Sequence, residues 1–148
     1  MRAALDALGG PAAADARAGA RRRAALPPRG DLERLLAAAA EPAGALLAVP
    51  VRDTLKQADA DGRVAATVAR DGLWQALTPQ GFPLAALATA MAAAAGDAAV
   101  TDEAAAMEGA GHGPRLIEGD PSNIKITRPG DLPLAAAILG HRTPARSA

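Results

Sequence analysis

Apolar positions follow two different periods along the chain, and their alternation predicts a domain of mixed helices and strands. The segments "LERLLAAAAE" and "PLAALATAMAAAAG" have apolar and Ala positions at helical spacing. A short continuous apolar run from Ala45 to about Val51 predicts a buried strand. Strands that alternate with helices are typical of an α/β sandwich.

The segment from Arg52 to Arg70 predicts a β-hairpin. Its two extended halves flank "DADG", in which Gly62 can adopt the positive φ of a tight turn. Val64, Ala66 and Val68 alternate with smaller or polar residues, so only one face of the second strand is apolar. Because such a hairpin buries little by itself, we expect it to project as an arm and to pack on something else.

The remaining elements follow from short polar residues and glycines at their ends. Helices begin after N-caps and end at glycines, and two further segments have strand composition. The expected N-caps are Asp31, Thr101 and Asp131, the expected helix ends are Gly96 and Gly140, and the two strands are "PRLIEG" and "NIKIT". We expect Trp74 and Phe82, the only aromatic residues, to be the largest side chains of the core.

Composition excludes several classes of protein. A chain of 148 residues fits one domain, and its formal net charge of zero provides no global field for nucleic acid or an anionic membrane. The absence of Cys excludes disulfides and thiolate metal sites. No apolar run approaches the roughly 18 residues of a membrane span, and residues 1–8 resemble an amphipathic helix more than a signal peptide. We therefore expect a soluble, cytoplasmic protein without a membrane partner.

Residue types alone do not supply a complete catalytic site. The two histidines, His112 and His141, lie near the ends of elements, and no phosphate-binding Walker loop occurs. What remains is a set of residues at strand ends that suits an oxyanion: Thr54, Arg70, Thr78, Thr101 and Lys125. Each has a structural alternative, because Thr101 could be only a helix cap, Thr54 and Thr78 could satisfy backbone groups, and Lys125 could be an edge-strand charge.

Taken together and in order, these blocks resemble a known family. "VPVRDTLK", "GLWQALTPQGF", "VTDEA" and "LIEGDPSNIKITRPGDL" are similar to the C-terminal half of 2-C-methyl-D-erythritol 4-phosphate cytidylyltransferases, over roughly Leu46 to Leu139. The resemblance implies a Rossmann-like nucleotidyltransferase fold, here truncated. It also implies transfer of CMP from CTP to methylerythritol phosphate in non-mevalonate isoprenoid biosynthesis, with Mg²⁺ on the triphosphate, and a homodimer that pairs through the projecting arm.

The resemblance carries over to individual residues. It implies that Arg70 and Lys125 position the substrate phosphate, and that Thr54, Thr78 and Thr101 line the same pocket. It also suggests that Trp74 and Phe82 support the segment that crosses from the arm back into the body.

The first part of the chain departs from the family pattern. The Gly-rich CTP loop with its Arg and Lys has no counterpart, and neither has the His-Asp-Ala-Ala-Arg-Pro segment. The family segment, preceded by Val, can be written in GC-rich codons. When those codons are read one base earlier, they translate to the string Gly19–Leu26. We therefore expect a degraded or frame-shifted segment with short helices over 1–44, the C-terminal half of the enzyme over 45–140 and a disordered tail over 141–148. Such a chain would be inactive alone and would expose unpaired sheet edges.

Two other functions stay open at this point. A short chain that keeps the arm could dimerise without catalysis and regulate a full-length enzyme. The basic run Arg21–Arg23 could bind nucleic acid, although no aromatic platform or helix-turn-helix accompanies it. Gel filtration separates these ideas, because only the arm requires self-association.

Overall fold

The computed structural model describes residues 26–96 and 98–142. Contacts divide the chain into two compact units, and the first comprises Leu26–Ile124. It contains α1 (Arg29–Ala38), β1 (Ala45–Pro50), β2 (Leu55–Ala58), β3 (Val64–Val68), β4 (Trp74–Gly81), α2 (Leu84–Ala93), α3 (Glu103–Gly109) and β5 (Arg115–Glu118). In the second unit the described residues are 125–142, with helix α4 (Asp131–Arg142).

A three-stranded sheet in the order β4-β1-β5 forms the centre of the first unit. Strand β1 pairs parallel with β5 and antiparallel with β4. Its first four residues, Ala45–Ala48, are all buried, as the continuous apolar run predicted. This mixed sheet with helices confirms the α/β class.

Two apolar clusters hold the first unit together. Leu35 and Ala38 of α1 pack on Ala45 and Leu47 of β1, with Leu77 and Ile117 beside them. The second cluster joins α2 and α3 through Ala90, Ala106 and Met107. Burying such side chains stabilises the fold by about 25 cal/mol per Å² of apolar surface. Helix α1 lies before residue 45, yet it belongs to the same compact unit as the sheet.

The expected core position of Trp74 is wrong. Its side chain is 37% exposed, and the largest fully buried side chains of the described residues are Leu47 and Met107. Trp74 lies opposite Pro50 where β4 begins, next to the exposed hairpin. Phe82 is partly buried against the second cluster, as expected.

Phe82 also explains a glycine. Gly44 precedes β1 with φ +72°, and a Cβ placed there would lie 2.3 Å from Phe82 Cδ1. Only glycine combines this backbone conformation with so close a contact.

Several element ends differ from the expectation. The N-cap of α1 is Pro28, and Asp31 lies within the first turn. Helix α3 is capped by Asp102 and not by Thr101, because the Asp102 carboxylate accepts a hydrogen bond from the backbone N–H of Ala105. Helix α4 includes Asp131 and continues through Gly140 to Arg142, since a glycine need not end a helix.

The segment "NIKIT" also does not form the expected strand. In this segment only Lys125 has a β-bridge, and no strand is assigned to residues 123–127. Alternation of apolar and polar residues over so few positions does not form a strand unless a full-length neighbouring strand pairs with it.

The hairpin is confirmed. β2 pairs antiparallel with β3, and Gly62 in the turn has φ +77°. All five residues of β3 are exposed, including Val64 at 65%. The hairpin therefore projects, and the apolar side chains of β3 are not covered by the described part of the chain.

No helix in the described ranges has the length and apolarity needed to cross a membrane. The expectations for residues 1–8 and Arg21–Arg23 concern positions outside the described residues, as does most of the proposed frame-shifted string. Of the expected disordered tail 141–148, residues 141–142 are helical, and the remainder lies outside the described residues.

Candidate functional site

Thr54 and Arg70 lie at the same end of the hairpin. Leu55 pairs with Val68, so Thr54 lies one residue and Arg70 two residues outside the paired strands. The Arg70 guanidinium donates a hydrogen bond to the carbonyl oxygen of Arg52. This contact ties the base of the arm together, and both Thr54 and Arg70 are exposed.

Thr78 lies in a bulge of β4. Leu46 pairs with Gln80 and Ala48 with Ala76, so β4 advances by four residues where β1 advances by two. The Thr78–Pro79 peptide bond within this bulge is cis. Bulges frequently re-aim side chains next to binding sites, and here the carbonyl oxygen of Thr78 accepts a hydrogen bond of 2.8 Å from Asn123 Nδ2.

Thr101 stands at the start of α3, which is connected to β4 by a hydrogen-bond network. Gln80 Nε2 donates to Asp102 Oδ2 at 2.9 Å, and Gln80 Oε1 accepts from the backbone N–H of Ala104 at 3.0 Å. Asp102 Oδ1 accepts from Ala105 N at 2.9 Å. The structure thus brings the neighbours of Thr78 and Thr101 together, and Thr101 itself is exposed and not needed as a cap.

Lys125 belongs to the second unit and is exposed. Two residues later, the backbone N–H groups of Thr127 and Arg128 donate to Asp131 Oδ2 at 2.8 and 2.9 Å. These two hydrogen bonds, first that from Thr127, lower the pKa of the Asp131 carboxyl below its ordinary value of 3.8. They order the turn between Lys125 and α4.

Sequence reasoning missed the two buried polar side chains of the described region, Asp31 and Asn123. Asp31 Oδ1 accepts from Arg34 Nη2 at 2.8 Å, and its Oδ2 accepts from the backbone N–H of Asp120 at 2.7 Å. An open cleft of about 410 Å³ is lined by Asp31, Arg34, Glu118, Gly119 and Asp120. An Asp in a first helical turn and an Asn after a turn are common residues at such places, so their burial had no signal in the sequence.

No group of three or more His, Asp or Glu side chains within the described ranges could hold a metal ion. We therefore assign none of them to Mg²⁺.

Curated relatives are similar over most of this chain. The 2-C-methyl-D-erythritol 4-phosphate cytidylyltransferase of Pseudomonas entomophila is 60% identical to this chain over 106 residues. The aligned residues are 70% of this chain and 45% of that protein. A protein of the same name from Acidithiobacillus ferrooxidans is 59% identical over 117 residues, or 78% of this chain and 49% of that protein. The chain thus spans about half the length of these relatives.

Solved structures agree with the fold. A crystal structure of 4-diphosphocytidyl-2C-methyl-D-erythritol synthase matches 76% of this chain with a TM-score of 0.68 and 46% identity, over 50% of its own length. The 2-C-methyl-D-erythritol 4-phosphate cytidylyltransferase of Thermus thermophilus matches the same share with a TM-score of 0.67 and 34% identity, over 56% of its own length. The Rossmann-like α/β fold expected from the resemblance is therefore confirmed for the part that this chain spans.

The family profile covers more of the chain than the resemblance did. Residues 4–141 match the family described as "IspD: 2-C-methyl-D-erythritol 4-phosphate cytidylyltransferase", whereas the resemblance was limited to roughly Leu46–Leu139. The chain belongs to the IspD family of cytidylyltransferases.

Proposed function

We propose that this chain carries the part of a cytidylyltransferase site that binds 2-C-methyl-D-erythritol 4-phosphate. In this proposal Arg70 and Lys125 position the substrate phosphate, and Thr54, Thr78 and Thr101 line its pocket. A guanidinium and an ammonium supply the charge that a phosphate dianion requires, and threonine hydroxyls add short donors. The membership of the family supports the assignment, and the bulge at Thr78 is the observation that carries it.

The reaction of the whole enzyme is transfer of CMP from CTP to the substrate phosphate with release of pyrophosphate. A phosphate oxygen attacks the α-phosphorus and pyrophosphate leaves, so the role of these residues is to hold the attacking dianion in line. The Gly-rich loop expected to hold CTP has no counterpart in this sequence. We therefore propose that the chain by itself binds methylerythritol phosphate and does not transfer CMP.

We also propose a cytoplasmic homodimer, and the exposed hairpin supports the pairing of two copies. An isolated two-stranded hairpin is marginally stable, and Val64 and Val68 of β3 are exposed apolar residues within it. A second copy of the chain that packs against this arm would cover them. Because Thr54 and Arg70 lie at the base of the arm, such pairing would also bring them toward the partner's pocket.

Calorimetric titration of methylerythritol phosphate into the purified chain tests the proposed site. We expect binding in the wild type and at least about tenfold weaker binding in Arg70→Ala and Lys125→Ala, because each removes a charge-assisted contact. Arg63→Ala, an equal charge change near the tip of the hairpin, is the matched control. Affinities of Arg70→Ala and Lys125→Ala equal to that of the control would contradict the assignment.

Sedimentation equilibrium and an assay of pyrophosphate release test the other two parts. Val64→Glu combined with Val68→Glu should convert a dimer into a monomer, whereas Arg63→Ala should stay dimeric. Pyrophosphate release from CTP by the chain alone would refute its inactivity. Binding of methylerythritol phosphate that persists in the absence of turnover distinguishes the proposed half-site from a purely regulatory dimer, which would bind no substrate.

A further inference from the structure

Asn123 is a buried amide that connects three segments of the first unit. It is 3% exposed. Its Nδ2 donates to the carbonyl oxygen of Thr78 at 2.8 Å, and its Oδ1 accepts from the backbone N–H of Leu26 at 3.0 Å. The amide thus joins the start of the described chain, the bulge of β4 and the turn that follows β5.

The two partners specify the residue type. One contact needs a donor and the other an acceptor, and an asparagine amide supplies both from one short side chain. Aspartate offers only acceptors when ionised and would face the Thr78 carbonyl with a lone pair. Leucine, which is similar in size, would leave both backbone groups without these partners, at a cost of about 1–3 kcal/mol for each buried group.

The turn that carries Asn123 is itself held in place. The backbone N–H of Asn123 donates to the carbonyl oxygen of Asp120 at 2.9 Å. The backbone N–H of Asp120 donates to the buried carboxylate of Asp31 at 2.7 Å. The Asp120 carboxylate accepts from the backbone N–H of Ser122 at 2.7 Å. Asn123 therefore reaches Thr78 from a turn with little freedom of its own.

We infer that Asn123 is a positioning residue that sets the Thr78 bulge for substrate binding. The inference rests on the proposed function, because it assumes that Thr78 contacts methylerythritol phosphate. The bulge residues between the Leu46–Gln80 and Ala48–Ala76 pairs lie outside the regular β1–β4 register. The side chain of Asn123 supplies a hydrogen bond there, so the direction of the Thr78 side chain depends on it.

A double-mutant cycle measured by calorimetric titration of methylerythritol phosphate tests this inference. We expect Thr78→Ala and Asn123→Asp each to weaken binding by roughly tenfold. The affinity of the double variant should be no lower than that of the single variant with the lower affinity, because Asn123 acts through Thr78. Leu87→Ala serves as the control, since Leu87 packs against the second apolar cluster, which includes no residue of the bulge. Its affinity should equal that of the wild type below its unfolding temperature.

Each outcome has a defined meaning. Wild-type affinity in a folded Asn123→Asp variant, or additive losses in the cycle, overturns the positioning role and leaves the proposed function standing. A wild-type chain that does not bind methylerythritol phosphate overturns both.

A measurement on the wild-type chain covers the case in which Asn123→Asp does not fold. The side-chain amide resonances of Asn123 should shift during titration with methylerythritol phosphate, because their acceptor is the Thr78 carbonyl. The side-chain amide of Gln57, on the hairpin strand β2, provides an internal reference. Binding that leaves the Asn123 resonances unmoved overturns the inference.

Discussion

The carboxylate of Asp31 accepts a hydrogen bond of 2.7 Å from the backbone N–H of Asp120, 89 residues further along the chain. Asp31 is 4% exposed, and its other oxygen binds the half-exposed guanidinium of Arg34. Arg34 in turn donates to the carbonyl oxygen of Glu118 at 3.0 Å. Helix α1 is therefore linked to the end of β5, where the turn with Asn123 begins.

Replacing Asp31 tests how much this link stabilises the fold. Asp31→Ala leaves the Asp120 N–H without its acceptor, so we expect a loss of about 1–3 kcal/mol in the free energy of unfolding. Asp31→Asn keeps one acceptor oxygen and should lose less. Urea denaturation of both variants beside Glu33→Ala measures this, since Glu33 forms an exposed pair with Arg29 worth at most about 1 kcal/mol. Equal stability of Asp31→Ala and Glu33→Ala would exclude a stabilising role for the link.

Two glycines with similar backbone conformations provide a matched pair. Gly44→Ala combines a positive φ with a Cβ only 2.3 Å from Phe82 Cδ1 and 2.6 Å from the carbonyl oxygen of Gly81. Gly62→Ala has a similar φ, but no atom lies within 4 Å of its Cβ. We expect a loss of about 1–2 kcal/mol for Gly62→Ala from backbone strain alone and a clearly larger loss for Gly44→Ala. Thermal unfolding compares the two, and similar losses would argue against steric contact with Phe82.

The network between β4 and α3 predicts a pH-dependent variant. Gln80→Glu keeps the acceptor for Ala104 N but places a second carboxylate against Asp102 Oδ2 in place of the Gln80 Nε2 donor. Like charges raise carboxyl pKa values. The introduced glutamate would therefore have a raised pKa, and the stability lost at neutral pH should return as the pH falls toward that raised value.

Chemical denaturation at neutral and at mildly acidic pH measures this return, with Gln75→Glu on the exposed part of β4 as the control. If Gln80→Glu lowers the free energy of unfolding by the same amount at both pH values, the contact between residue 80 and Asp102 is contradicted.

The turn before α4 predicts an acid-sensitive segment. The folded pKa of Asp131 is lowered because its carboxylate accepts backbone hydrogen bonds from Thr127 and Arg128. The carboxylate therefore stabilises this turn at any pH above its unfolded pKa, near 3.8, and the contribution is lost as the pH falls through the lowered folded value.

NMR titration of the Asp131 carboxyl carbon measures this pKa directly, and a value at or above 3.8 would refute the contact. Asp131→Asn should remove the acid transition of the Thr127 and Arg128 amide resonances.

Much of the fold could be predicted from the sequence because it depends on local pattern. The apolar run of β1, the Gly62 turn and the Ala-rich helix α2 each follow from composition and period over a few residues. The sequence alone does not determine the helix ends, since Thr101 and Asp102 are both good caps and only the position of Ala105 N decides between them. The size of Trp74 predicts a core position, yet its side chain is 37% exposed where β4 begins.

The site divides in the same way. Thr54, Arg70, Thr78, Thr101 and Lys125 were recognised as residue types that suit an oxyanion, in an order that resembles one family. The long-range contacts of Asp31, Gln80 and Asn123 are not predicted by the sequence, because each joins a backbone group far away in the chain.

The sequence by itself therefore determined the family, the α/β class, the hairpin and the residue types available to a phosphate. Only the tertiary structure decided which polar side chains are buried and which backbone atoms they bind. The physical reason is that apolar period and turn chemistry act over a few neighbouring residues. A buried amide or carboxylate, in contrast, is stable only where folding brings a matching donor or acceptor to it.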